Sequence, residues 1–335
     1  MKLQLNPIFA SGAVFAAHKP IRVFGIGDGH ISVDFLGEHA EADSHNGEWL
    51  IELSSRPYGG PYEMTLTLGE DTIVLSDLYI GEVLLLTGQS NIEFKMIESA
   101  DLPYVNEPLD TLRLFSSERV NKNGYFHPQD GWKHCSDRDV IEHCSAIGYE
   151  TGLLLAKAKG CAVGLIGAYQ GASVIQSWLP VGSLARIGIR FAPEELSHSH
   201  TTYPLWNNEG QLYEAMLHPV VPYSVSHVLW YQGESNSSIA ESRRYKEMLA
   251  ELIRVWRTDF DDSALPVIVI QLADYQSYIR RHEGWQTVQA QQMEIANEVD
   301  GVQTVVCRDV CEDDNIHPPT KRYLSERIAK LLIAK

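Results

Sequence analysis

The chain has 335 residues, 44% of them hydrophobic, which is enough for two compact domains with ordinary cores. Its 44 acidic and 27 basic side chains give a formal net charge of −17. That charge argues against nucleic acids and anionic membranes as partners, because both favour clustered lysine and arginine.

The first residues, 1–7, lack the apolar core and the small-residue cleavage site of a secretory signal. No apolar stretch in the sequence is long enough to cross a bilayer. The five cysteines are odd in number and scattered, which is typical of reduced thiols. These features predict a cytoplasmic protein, or a secreted one if a leader has been removed.

Residues 1–78 contain short, mostly alternating runs of apolar and polar residues, separated by clusters of glycine, aspartate and asparagine. The runs lie at residues 21–24, 31–35, 49–53 and 62–68. Short strands with frequent turns are typical of antiparallel sandwiches. The sequence therefore predicts a small β-sandwich domain over residues 1–78.

Residues 79–335 show a different pattern, in which apolar runs alternate with amphipathic stretches. The predicted strands lie at residues 83–86, 112–116, 163–168, 228–231, 267–272 and 302–306. The predicted helices lie at residues 147–159, 241–256, 285–298 and 319–333. This alternation predicts an α/β domain, with a parallel sheet covered by helices.

The tetrapeptide Gly88-Gln89-Ser90-Asn91 directly follows the first predicted strand of that sheet. A serine there faces the crevice in which open α/β sheets bind ligands, so Ser90 is the candidate nucleophile. A serine that caps the next helix is the alternative, and the tetrapeptide alone favours neither. Ile92 replaces the second glycine of Gly-x-Ser-x-Gly, which disfavours the nucleophile elbow of α/β-hydrolases.

A serine hydroxyl needs a base, an acid that orients the base, and donors for the oxyanion. His317 is the candidate base and Asp314, three residues earlier, the candidate acid. Pro318 disfavours helical backbone at His317 and so holds the imidazole on a loop. An ordinary solvated loop histidine is the alternative interpretation. The assignment of His317 as the base depends on its combination with Ser90.

Two further strand ends carry groups suited to chemistry. Small residues at Gly171 to Ser173 follow the strand at 163–168 and allow backbone N–H groups to approach a ligand closely. Gln232 and Glu234 follow the strand at 228–231, where the amide is a potential oxyanion donor and the carboxylate a potential partner of a histidine or a hydroxyl. The alternative interpretation of both segments is that they are ordinary loops whose polar residues have no chemical function.

Residues 307–317 hold two cysteines, several carboxylates and a histidine, which are potential metal ligands. The segment has no Cys-x-x-Cys spacing, and the second ligand pair of a zinc site is missing. We therefore expect neither a metal nor a cofactor.

Taken in order, these motifs resemble the sialate O-acetylesterase family of SGNH hydrolases, which is related to carbohydrate esterase family six. The matching blocks lie at residues 7–49, 59–63, 81–94, 146–149, 163–166, 212–216, 230–236 and 256–257, and at Asp314 and His317. The chain departs from the family at Ile92, where methionine is usual, and at Ala172, where the family has a second glycine.

The resemblance implies a three-layer α/β/α, flavodoxin-like sheet preceded by a small β-sandwich. It implies that Ser90 attacks an acetyl carbonyl while His317, oriented by Asp314, transfers the proton. Glu234 competes with Asp314 for the orienting role, or binds substrate.

Gln89 and Asn91, which flank the nucleophile, are further candidates for substrate contacts. The resemblance also implies that the oxyanion accepts hydrogen bonds from the Ser90 N–H, the Gly171 N–H and the Gln232 amide.

The expected substrate is an O-acetylated carbohydrate, with O-acetyl sialic acid favoured by the resemblance and acetylated xylo-oligosaccharide as the alternative. A binding protein that has lost catalysis and a lipase-like esterase are alternatives of other kinds. Arg190, Arg280 and Arg281 are available for a sialic acid carboxylate, although solvated surface charge is the simpler interpretation for each. No oligomeric state is predicted.

Overall fold

The computed structural model describes residues 2–105, 109–120, 124–279 and 283–334. Its strands are β1 (Gln4–Leu5), β2 (Val14–Ala16), β3 (Ile21–Ile26), β4 (His30–Phe35), β5 (Glu38–Asp43), β6 (Glu48–Leu53), β7 (Gly59–Leu68), β8 (Asp71–Gly88), β9 (Leu112–Ser116), β10 (Lys133–His134), β11 (Val163–Tyr169), β12 (His227–Tyr231), β13 (Val267–Ile270) and β14 (Val302–Val305). Its α-helices are α1 (Ser90–Glu93), α2 (Arg138–His143), α3 (Ala146–Lys159), α4 (Ser183–Arg186), α5 (His198–Thr202), α6 (Ile239–Arg243), α7 (Tyr245–Asp259), α8 (Gln276–Ile279), α9 (Glu283–Glu298) and α10 (Arg322–Ile333).

The central sheet has the strand order β10-β9-β11-β8-β12-β13-β14. All neighbours in this order are parallel except β10, which pairs antiparallel with β9 at the edge. Strands β12 and β13 are buried along their whole length, as expected for apolar runs covered on both faces. Helix α3 packs against α10, and α7 packs against α9. The predicted α/β class is confirmed, with a mixed rather than purely parallel sheet.

Strand β8 joins the N-terminal strands to the central sheet. Residues 71–80 pair antiparallel with β7, and residues 82–88 pair in parallel with β11. The predicted domain boundary between residues 78 and 79 therefore lies inside one continuous strand. Strands β1, β3 and β6 form a separate three-stranded sheet. Whether residues 1–78 fold as a β-sandwich unit of their own stays a prediction.

Two helix predictions need correction, one because the helix is divided and one because it begins later. The stretch 241–256 is divided into α6 and α7, which meet at Arg244. Helix α10 begins at Arg322 rather than at Pro319, because the carboxylate of Asp101 accepts the backbone N–H groups of Lys321 at 2.5 Å and Arg322 at 3.0 Å. A carboxylate at this end stabilises the helix through its free N–H groups and its dipole. No helix among the residues listed above combines the length and the apolar composition needed to cross a membrane.

Candidate active site

Ser90 is the first residue of α1, directly beyond the carboxyl end of β8. Gly88 adopts a φ of +132°, and a Cβ there would lie 2.2 Å from the carbonyl oxygen of Tyr231. Only glycine therefore allows the ends of β8 and β12 to approach this closely. The Ser90 side chain is half-buried and lines an open cleft at this edge of the sheet.

The structure brings His317 to Ser90 across 227 positions of sequence, with 2.7 Å between Nε2 and Oγ. The imidazole is half-buried in the wall of the same cleft. Burial lowers the pKa of His317 below its ordinary value of 6.5, and the positive charge of Lys321 lowers it further. A neutral imidazole at hydrogen-bond distance from a hydroxyl is the arrangement that general-base catalysis requires.

Asp314 is exposed, and no hydrogen bond joins it to His317 in the described part of the chain. The loop is instead held by Asn315, whose Oδ1 accepts the backbone N–H of His317 at 2.9 Å. The orienting role of Asp314 therefore stays a prediction.

Glu234 is buried and lines the cleft, and it makes no described hydrogen bond to His317. Its Oε1 accepts a hydrogen bond of 2.7 Å from Asn91 Nδ2, while Oε2 has no partner among the described residues. Burial raises the pKa of Glu234 to about 7. Asn91 Nδ2 also donates to the carbonyl oxygen of Ile316 at 2.9 Å. Asn91 thus links Glu234 to the loop that carries His317.

The Gly171 N–H does not point freely into the cleft as the oxyanion prediction requires. It donates to Glu93 Oε2 at 2.9 Å, and the other oxygen of Glu93 pairs with Arg119. The carboxylate of Glu93 would have to move before Gly171 could bind an oxyanion. The neighbouring Ala172 adopts a φ of +56°, so this loop keeps a glycine-like conformation with alanine in place.

The predicted oxyanion role of Gln232 conflicts with its surroundings. The side chain is fully buried, and its Nε2 donates to Gln89 Oε1, the Ser173 carbonyl and Asn236 Oδ1 at 2.8–3.1 Å. Its Oε1 accepts from the Tyr245 hydroxyl. Both polar atoms of the amide are therefore engaged inside the protein, in hydrogen bonds that join the segments following β8, β11 and β12.

Gln89, the residue before Ser90, has an amide whose orientation its neighbours determine. Its Oε1 accepts the backbone N–H groups of Gly233 at 3.4 Å and Ser235 at 3.2 Å. Backbone N–H groups only donate, so these contacts fix the orientation of the amide. The Nε2 group then has no acceptor in the described residues, and Gln89 lines the cleft. The N–H of Ser90, as the first residue of a helix, also lacks an intrahelical partner.

The remaining wall of the cleft contains residues that were not predicted from the sequence. Tyr203 and Trp206 stack with ring centroids 5.1 Å apart and planes 22° apart, and both line the cleft. Arg119 lines it as well. It follows β9 at the same edge of the sheet as Ser90, and that position after a predicted strand is the signal that could have identified it.

Of the three arginines singled out from the sequence, the structure describes Arg190 alone. Arg190 is exposed and lines a different surface groove, and Arg280 and Arg281 lie outside the described residues. Within those residues, no group of three histidine, cysteine, aspartate or glutamate side chains is placed to hold a metal ion. Cys307 is buried and donates to the carbonyl oxygen of Gln271.

Comparison with known proteins gives a consistent result. The sequence model of the family described as "Carbohydrate esterase, sialic acid-specific acetylesterase" matches residues 81–334. Human sialate O-acetylesterase is 23% identical over 319 residues, covering 85% of this chain and 60% of the human protein. The mouse protein of the same name is 22% identical, covering 84% and 62%. The chain thus spans about three fifths of the length of these relatives.

Solved structures extend the similarity to the N-terminal strands. A carbohydrate acetylesterase from Xanthomonas citri has a TM-score of 0.84 and 27% identity, covering 99% of this chain and 74% of that one. A protein from Arabidopsis thaliana has a TM-score of 0.53 and 17% identity, covering 76% of this chain and 98% of that one, and supports the fold alone.

Proposed function

Because the chain belongs to the sialic acid-specific acetylesterase family of carbohydrate esterases, as the sequence motifs predicted, we propose that it removes O-acetyl groups from a carbohydrate with Ser90 as nucleophile. One observation carries this proposal: Ser90 Oγ lies 2.7 Å from His317 Nε2 in an open cleft. His317 accepts the hydroxyl proton as Ser90 Oγ attacks the acetyl carbonyl carbon.

The tetrahedral intermediate collapses when His317 returns that proton to the departing sugar oxygen, which leaves an acetyl ester on Ser90. His317 then takes a proton from water, whose oxygen attacks the ester, and returns that proton to Ser90 Oγ as the second tetrahedral intermediate collapses and releases acetic acid, which ionises to acetate. The Ser90 N–H and Gln89 Nε2 are the donors for the oxyanion, because both lie on the cleft without an internal acceptor. The chemistry requires no metal or cofactor step.

Asp314→Asn should lower kcat/KM about 10²- to 10⁴-fold, as expected when a base loses the carboxylate that orients it. We propose that Asp314 reaches His317 in the substrate complex, since hydrogen bonds of catalytic groups often tighten only there. Glu234→Gln should cost less than about tenfold, because the glutamine oxygen still accepts from Asn91. Steady-state kinetics of the two variants decides whether Asp314 or Glu234 orients His317. A larger loss in Glu234→Gln than in Asp314→Asn would assign the orienting role to Glu234.

We propose O-acetyl sialic acid as the substrate. The description of the family and the names of the mammalian relatives favour it. Arg119 lies on the cleft in an ion pair with Glu93, so a sialic acid carboxylate would have to share or replace that pair. Acetate release from O-acetylated sialic acids should exceed release from acetylated xylo-oligosaccharides at equal concentration. Faster release from the xylo-oligosaccharides would favour the acetylxylan alternative, and sugar binding without any release would favour a binding protein. Steep loss of activity from acetyl to butyryl esters would exclude a lipase.

The stacked rings of Tyr203 and Trp206 are the surface on which a sugar ring would lie. Tyr203→Ala should raise KM for an acetylated sugar about threefold to tenfold, the range expected for loss of one aromatic contact. KM for a small aliphatic acetate should not change, because that ester has no ring to stack. Tyr203→Phe, which keeps the ring, is the matched control. Equal KM values for Tyr203→Ala and the unchanged protein would reject this surface as the sugar site.

A further inference from the structure

Lys321 is fully buried beside the Ser90–His317 pair, at the start of α10. Its Nζ donates to Asn91 Oδ1 at 2.8 Å and lies 4.8 Å from the ring centroid of Phe94. It makes no ion pair with a carboxylate among the residues that the structure describes. A buried ammonium without an ion pair is costly to folding, so its position beside the reacting groups indicates a role in the reaction.

Asn91 connects Lys321 to both reacting residues. It directly follows Ser90, and its Nδ2 donates to the carbonyl oxygen of Ile316, the residue before His317. Lys321 can only donate, so its bond to Oδ1 fixes which end of the Asn91 amide faces the histidine loop. Glu234 Oε1 accepts the other Nδ2 hydrogen at 2.7 Å. The ammonium therefore fixes the amide that joins the helix of the nucleophile to the loop of the base.

We propose that Lys321 is a positioning residue for the Ser90–His317 pair, which acts through Asn91 and whose buried positive charge opposes a second positive charge on His317. This inference rests on the proposed function, because it concerns the base of that reaction. It assigns two separable effects to one side chain: the hydrogen bond orients Asn91, and the charge adds to the effect of burial in opposing protonation of the imidazole.

The charges around His317 decide in which direction the Lys321 charge shifts the pKa of that histidine. Lys321 lowers the pKa of His317, and Glu98 opposes it more weakly. Ser90 is the neutral partner of the imidazole, and Asp314 is exposed on the same loop. Removal of the Lys321 charge should therefore raise the pKa of His317, so that the base becomes protonated at a higher pH.

Other groups face the ammonium itself. They are the carboxyl groups of Glu234 and Glu312, the thiols of Cys307 and Cys311, and the ring of Tyr231. Burial nevertheless dominates and lowers the pKa of Lys321 to about 8, so the side chain is mostly charged at neutral pH. Its effect on His317 is thus present across the pH range in which the base titrates.

The test is the pH dependence of kcat/KM for an aryl acetate in Lys321→Met and Lys321→Gln. Both variants lose the positive charge that opposes protonation of His317, so the acid limb should move to higher pH. Lys321→Gln keeps a donor for Asn91 and should retain more of kcat than Lys321→Met. Lys330→Met removes an exposed lysine from the same helix and should leave the acid limb in place.

An unmoved acid limb in both folded Lys321 variants would overturn the proposal, as would an equal shift in Lys330→Met. If neither variant folds, an NMR titration of the unchanged protein still decides: the His317 ring should titrate below 6.5 and show a second, smaller change near pH 8, where Lys321 loses its charge, and the absence of that second change contradicts the proposal. These outcomes differ from failure of the proposed function, in which Ser90→Ala would retain activity.

Discussion

Ser90→Ala is expected to lower kcat for an acetylated substrate about 10⁵- to 10⁶-fold, comparable to the loss of a nucleophile in other serine hydrolases. The reason is chemical, since no other hydroxyl is described within hydrogen-bond distance of the His317 imidazole nitrogen that faces the cleft. A residual rate above the uncatalysed one should remain, because the oxyanion donors and the binding cleft persist. Acetate release at saturating substrate measures this effect.

The same change should leave the fold intact. Ser90 is half-buried, and the structure gives its hydroxyl one described partner, His317. Loss of one such bond costs about 1 kcal/mol, which a thermal unfolding curve would register as a small shift. Ser136→Ala, an exposed serine outside the cleft, is the matched control and should keep full activity. Near-normal hydrolysis by folded Ser90→Ala would remove Ser90 from the mechanism.

His317→Ala is expected to cost nearly as much as Ser90→Ala, because a serine hydroxyl is a poor nucleophile without a base. The two residues act as one unit, so their effects should not add. The double variant should therefore hydrolyse the substrate at about the rate of either single variant. His218→Ala, which removes an exposed histidine, should have no effect.

Two results would contradict a shared role for the pair. One is a loss of less than about tenfold in folded His317→Ala, since general-base catalysis alone accounts for more than that. The other is a double variant that is slower than each single variant by the product of their separate losses, which would indicate independent functions.

The pairing of Ser90 with His317 was predictable because local signals placed each residue. An apolar run ends at Leu86, four residues before Ser90, and Pro318 disfavours helix at His317. Parallel strands bring their carboxyl ends to one edge of a sheet, so these two positions can meet. The engagement of Gln232 was not predictable in this way, because it depends on contacts with Gln89 and Asn236 that only the folded chain forms.

The continuity of β8 was missed for a local reason. Asp77 is typical of turns, and it adopts a φ of +57° within the strand. Its carboxylate pairs with the buried guanidinium of Arg113 at 2.9 Å, so a distant ion pair accommodates it inside the sheet. Strand β5 was missed because its sequence, Glu38–Asp43, has no β-branched or aromatic residue and every second side chain is exposed.

The burial of Lys321 could not be predicted from the sequence either. Lysine is seldom fully buried, and the helix predicted at residues 319–333 indicated only that Lys321 would lie in its first turn. Two distant residues determine the result: Asp101 binds the N-terminus of α10, and Asn91 accepts from the ammonium. Local pattern thus predicts which strand ends carry chemistry, whereas long-range polar contacts determine which side chains remain free to act.

In the proposed mechanism Ser90 carries the acyl group. A phosphonate ester of p-nitrophenol forms a stable adduct with an activated serine, and peptide mass spectrometry then identifies the labelled residue. The proposed mechanism predicts one label per chain, on Ser90, with loss of esterase activity in step with labelling. Complete inactivation with the label on another side chain would contradict it.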